Sequence, residues 1–140
     1  MKPELMLKAI EIAKNSDSDI PIGAVIVKDG EIISFAHNQR EKDNIATYHA
    51  EILAIQRANE KLKNWRLNNC EMYVTLEPCP MCAGAIGWAQ IPRIVFGAAD
   101  EKRGYRAFAP NVLHPKAQVT AGILGDECAM LMKEFFKNRR

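Results

Sequence analysis

Two short segments carry residue types that bind metal and move protons: His49-Ala50-Glu51 and, further along, Pro78-Cys79-Pro80-Met81-Cys82. Thiolate and imidazole are the ligands Zn²⁺ prefers, and a helix N-terminus favours the thiolate form of a cysteine. Of the four cysteines (Cys70, Cys79, Cys82 and Cys128), only Cys79 and Cys82 form a C-x-x-C. A structural zinc site wants four ligands, usually as two pairs, and the chain offers no second C-x-x-C and no H-x₃-H. Three ligands, His49, Cys79 and Cys82, leave a fourth tetrahedral position for water, which is the arrangement of catalytic zinc. Glu51, two residues after His49, is then placed to take a proton from that water and pass it to a substrate.

Each residue also has a plainer reading. His49 alone fits a satisfied histidine at a helix start, and the C-x-x-C alone fits a redox pair. A redox pair needs no distant H-A-E, whereas the metal reading uses all three features. A structural zinc module without catalysis is a third reading; in that module Glu51 is dispensable. Cys70 and Cys128 read as small buried hydrophobes, and His37 and His114 as a strand-end and a loop histidine. Trp65 and Trp88 read as core or dimer anchors, and Glu77 as the brace of the turn before Pro78, bonded to backbone amides.

The elements that must position these groups follow from periodicity. Residues 3–14 place Leu5, Ala9, Ile12 and Ala13 on one helical stripe. Ile22–Val27 and Ile32–Ala36 are strands joined through Asp29-Gly30, a hairpin signal. Asn38–Thr47 reads as a loop, His49 to about Leu62 as a helix, and Met72–Leu76 as a strand stopped by Pro78. Met81–Gln90 reads as a buried helix and Arg93–Gly97 as a strand. Residues 100–116 are irregular, Gln118–Thr120 is a short strand, and Gly125–Asn138 is a helix with Cys128, Leu131, Met132, Phe135 and Phe136 inward. Strand–helix alternation in the middle implies parallel pairing there, joined to the antiparallel hairpin. The expected fold is α/β: a three-layer α/β/α sandwich with a five-stranded mixed sheet. Residues 1–140 are expected to form a single domain, with no repeat or linker.

Composition narrows the class. The chain is 48% hydrophobic and 26% charged, close to the globular average, which excludes a disordered chain or a rod. Its apolar runs fall short of the ~20 residues that span a bilayer, and the start has no secretory pattern, so the cytoplasm is expected. Nineteen basic and 17 acidic residues leave a net charge of +2. A chain-wide basic field for nucleic acid is therefore absent, though a local patch remains open. The basic end Lys137-Asn138-Arg139-Arg140 reads as a solvated helix terminus favoured by the macrodipole.

With its H-A-E … P-C-x-x-C pattern, the chain resembles the zinc-dependent cytidine/deoxycytidylate deaminase superfamily, with the cytidine deaminase-like fold. Pro21–Val25, Ala36–Asn38, His49–Ile52, Asn64–Leu67, Met72–Gly84 and Gly122–Cys128 all look like the bacterial tRNA adenosine deaminases. The resemblance implies one Zn²⁺ per subunit held by His49, Cys79 and Cys82, with Glu51 as proton shuttle. It implies that Asn38 holds the target nucleoside and that the Ala50 N–H contacts the base. The implied reaction releases ammonia from adenosine in a tRNA anticodon stem-loop, in a homodimer whose partner completes the groove. The chain departs from the pattern at Tyr48, where a small residue is usual, and at Arg103–Phe108, which replaces a Gly/Ala/Ser-rich turn. There Tyr105, Arg106 and Phe108 are expected to contact substrate, stacking on an unpaired base and gripping phosphate, or to close as a lid over a small free nucleobase or nucleoside. Met81–Gln90, apolar on nearly every side, is expected at a dimer interface.

Overall fold

The computed structural model describes residues 2–138. Its elements run α1 (Pro3–Ala13), β1 (Gly23–Lys28), β2 (Glu31–His37), α2 (Arg40–Asp43), α3 (Ala50–Leu62) and β3 (Cys70–Leu76), followed by α4 (Pro80–Trp88), β4 (Arg93–Ala98), α5 (Tyr105–Phe108), β5 (Gln118–Ala121) and α6 (Gly125–Lys137). The sheet order is β2-β1-β3-β4-β5. β1 is antiparallel to both β2 and β3, whereas β3–β4 and β4–β5 are parallel. The five strands and the mixed pairing agree with the sequence reading. Of the basic end, Arg139 and Arg140 lie outside the described residues.

Strand alternation divides two cores. Ala24, Ile26, Met72, Val74, Ile94 and Phe96 face α3 and α4, where Leu53, Ala54, Ala83 and Ile86 are buried against them. Val25, Val27, Tyr73 and Val95 point the other way, onto Leu5, Met6, Ala9 and Ile10 of α1 and Cys128 of α6. Central strands covered on both faces need apolar residues at every position, which is why β1 and β4 read as continuous hydrophobic runs. The hairpin turns through Asp29 (φ 52°) and Gly30 (φ 80°), the paired left-handed conformations of the tight turn that Asp-Gly favours. At Gly97 a Cβ would run into the Cys128 sulfur, so the glycine lets α6 lie close on β4.

Four expectations need correction. Two segments read as irregular each contain one turn of helix, α2 and α5, too short to show a period. α6 buries only Cys128 among its residues, and Phe136 is exposed, because the helix touches the sheet through its N-terminal half. Trp65 is half exposed with the Arg66 guanidinium 4.3 Å over its ring, and Trp88 is 81% exposed, so of the two readings, core or dimer anchor, the core one falls for both.

Candidate metal and proton-transfer site

The carboxyl ends of β2, β3 and β4 lie along one edge of the sheet, because β1 runs antiparallel to both its neighbours. Parallel strands present their connecting helices' N-termini at that edge, which is where such sheets bind ligands. His49 is the N-cap of α3 and Cys79 the N-cap of α4, both with extended backbone and neither using its side chain to cap its helix. Cys82 follows on the first turn of α4. Pro80 at the first helical position fixes the α4 entry, and its missing N–H is no loss there.

The three side chains converge. His49 Nδ1 lies 3.7 Å from Cys79 Sγ and 3.5 Å from Cys82 Sγ, and the three donor atoms lie within 4.8 Å of one another. Bonds of about 2.3 Å to sulfur and 2.0–2.1 Å to nitrogen put tetrahedral N and S ligands about 3.6 Å apart. The donor set therefore fits Zn²⁺ in both chemistry and spacing. A hydrogen bond from the Cys82 thiol, with a further one from His49, pulls the Cys79 thiol down to about 4 against the opposing effect of burial. Cys82 is correspondingly held as a thiol, through its bond to Cys79 and its burial. His49 is raised above its ordinary value, chiefly by Cys79, with burial and the Arg40 charge opposing. The pair thus keeps one proton that a metal cation would displace.

Glu51 completes the cluster from the first turn of α3. It is buried, and its Oε1 has no hydrogen-bond partner. Burial pushes its carboxyl up to about 7, with the Cys79 thiolate acting in the same direction and its own backbone N–H opposing. A buried carboxyl with a free oxygen and a pKa near neutrality is suited to taking and giving a proton.

Asn38 and Ala50, expected to hold substrate, are joined to each other. The buried Ala50 N–H donates to Asn38 Oδ1 at 2.8 Å, tying the end of β2 to the start of α3 and fixing His49 between them. While that bond stands, the Ala50 N–H is not free for a base. The strap from 38 to 48 is further held by Gln39 N–H to Tyr48 O (3.0 Å) and by buried Asp19, whose carboxylate accepts the N–H groups of Glu41 and Lys42 at 2.8 and 3.2 Å. Tyr48 packs half-buried against the α3 side of the core.

The 103–108 segment departs from its sequence reading at Tyr105, and pairs Arg106 with a distant acid. Tyr105 is buried in the core, and its N–H donates to Pro78 O at 2.9 Å, so its ring does not offer a stacking face. Arg106 is engaged with Glu77 at 2.9 Å and lies over the Phe96 ring at 4.9 Å. Arg106 remains exposed despite that pairing, and Phe108 is exposed at 66%. Glu77, read from sequence as a brace bonded to backbone amides, does accept such bonds, but from Asp100 and Arg106 rather than from its own turn. That pairing joins residues distant in sequence, and no local pattern signals it. A cavity of about 490 Å³ lies at the opposite edge of the sheet, beside the Arg93–Glu71 ion pair, away from all of these groups.

Against known proteins, the model of the MafB19-like deaminases matches residues 3–140. The chain is 45% identical to the tRNA-specific adenosine deaminase of Streptococcus pyogenes serotype M18 (strain MGAS8232), over 96% of this chain and 89% of that protein. It is 43% identical to the tRNA-specific adenosine deaminase of Bacillus subtilis (strain 168), over 96% and 88%. Among solved structures, one from a study of A-to-I editing by tRNA:A34 deaminases superposes with a TM-score of 0.87 at 38% identity, covering 93% of this chain and 99% of that one. The guanine deaminase of Bacillus subtilis matches with a TM-score of 0.66 at 40% identity, over 71% of this chain and 66% of that one.

Proposed function

The chain belongs to the MafB19-like deaminase family, and on that footing we propose that it hydrolyses the wobble adenosine of a tRNA anticodon to inosine, with release of ammonia. The observation that carries the reading is the convergence of His49, Cys79 and Cys82 beside a buried Glu51 with an unpartnered oxygen. It is joined by near full-length similarity to tRNA-specific adenosine deaminases.

His49, Cys79 and Cys82 would hold one Zn²⁺ per subunit. When bound, the ion would supply a Lewis acid that makes water acidic enough to act as nucleophile. Glu51 Oε1 would take a proton from the attacking water and pass it to the purine ring nitrogen; as the C6–O bond forms and the C6–N bond breaks, it would carry the remaining hydroxyl proton to the amine, which leaves as ammonia. Water and adenosine in, inosine and ammonia out, balance the reaction. Burial keeps bulk water from competing for the Glu51 carboxyl. Asn38, its Oδ1 occupied by the Ala50 N–H, donates from Nδ2 to the target nucleoside, and Ala50 serves by fixing Asn38. Phe108 borders the groove.

Residues 1–140 act as one deaminase domain, a reading supported by the single sheet that carries both cores. No helix among the described residues is long and apolar enough to cross a membrane, and the cytoplasm, where tRNA is modified, is the proposed location. α4 presents Met81 and Trp88 outward, the latter 81% exposed, and the proposed assembly is a homodimer built on that helix.

A second reading, deamination of a free nucleobase, is favoured by the 40% identity to a guanine deaminase. Salt separates the two. Phosphate contacts make kcat/KM for an anticodon stem-loop fall steeply as ionic strength rises, while turnover of a neutral base barely responds. A stem-loop reaction indifferent to salt would count against the tRNA reading.

A further inference from the structure

Glu77 stands two residues before Cys79 and is buried, yet its carboxylate is fully engaged by a segment far along the chain. Oε1 accepts the Asp100 N–H at 3.1 Å and Arg106 Nη2 at 2.9 Å, and Oε2 accepts the Arg106 N–H at 3.1 Å. The Tyr105 N–H adds a bond to Pro78 O at 2.9 Å, so the turn carrying Cys79 and the start of α5 are tied by side chain and backbone together. Gly104 sits where a Cβ would run into the Glu77 carboxylate and Asp100 O, which shows how closely the two segments approach. Several bonds to one ionised, buried carboxylate make a firm tether, because charge-assisted bonds are strong and breaking one strands a charge. Phe108, three residues beyond Tyr105, is the exposed aromatic of this tethered turn, and one helical turn is only about 5 Å long.

We propose that Glu77 and Arg106 are positioning residues that clamp the 100–108 segment against the Cys79 turn and thereby hold Phe108 as a fixed stacking platform for a base flanking the target nucleotide. Arg106 thus acts through Glu77 and grips no phosphate. The platform rests on the tRNA reading above; the clamp does not. Stacking is sequence-tolerant and needs a ring that does not swing, since an ordered platform spares the entropy of ordering it on binding.

The test is a double-mutant cycle on the zinc-loaded protein with an anticodon stem-loop, paired with tryptic cleavage of the free protein after Lys102 and Arg103. F108A is expected to raise KM about tenfold with kcat within twofold. R106A, which leaves Glu77 its two backbone bonds, is expected to raise KM by a similar factor, and R106A/F108A to be no worse than about twofold beyond F108A alone. R106M, keeping an aliphatic stem over Phe96, should behave like R106A. The salt slope of R106A should equal that of wild type, and cleavage at 102–103 should speed up several-fold. Additive effects would overturn the platform. A salt slope smaller by about one unit would put Arg106 on a phosphate and overturn its assigned role. Unchanged cleavage would overturn the clamp. A wild type inert on the stem-loop would sink the tRNA reading and the platform with it, while the cleavage comparison would still decide the clamp.

Discussion

Glu51 differs from the three metal-ligand candidates in keeping one buried carboxyl oxygen without a partner, which is what a proton carrier requires. Its Oε1 is without a partner while its carboxyl is raised to about 7. Glu51→Gln removes the titrating group and keeps the shape. Turnover is expected to fall by at least about a thousandfold, with zinc content by atomic absorption unchanged. Retained activity would instead show that Glu51 is not the proton carrier. The ligand candidates and Glu51 were legible as residue types at a spacing. The Ala50–Asn38 bond was not, because it turns the Ala50 N–H, expected on the base, onto Asn38 Oδ1. Nor was the burial of Tyr105, which lies in a stretch with neither helical nor strand period.

At the scale of elements, the strands and long helices followed from periodicity: the Asp29-Gly30 turn closes the hairpin, and Leu5, Ala9, Ile12 and Ala13 all face inward. Single-turn helices escape that logic, since α2 and α5 are held by distant acids, Asp19 and Glu77, rather than by their own sequence. The α5 tether makes a specific stability claim. Gly104 is needed for close approach, not for an unusual dihedral: its φ is −67°. Gly104→Ala should cost about 1–3 kcal/mol, read by urea unfolding, because the new methyl meets the Glu77 carboxylate and the Asp100 carbonyl. An unchanged midpoint would mean that the segment yields freely and is not clamped.

For the whole molecule, the outward residues of α4 are the least explained by a lone subunit. An indole 81% exposed at the end of a helix made almost wholly of apolar and small residues is expected to be covered by a second copy. Trp88→Glu should turn a dimer into a monomer in light scattering at micromolar concentration; a wild-type monomer would remove the interface from the account. The sequence signalled this helix as apolar all round but could not say which side the sheet takes, which the structure assigns to Ala83 and Ile86. The chemistry at the sheet edge is tested most directly by ammonia release from the zinc-loaded protein. One substrate set is an anticodon stem-loop with adenosine at the wobble position, beside a guanosine control; the other is a panel of free bases and nucleosides. Ammonia and inosine are expected from the adenosine stem-loop alone; ammonia from free guanine or another free base, with the stem-loop untouched, would contradict the tRNA assignment.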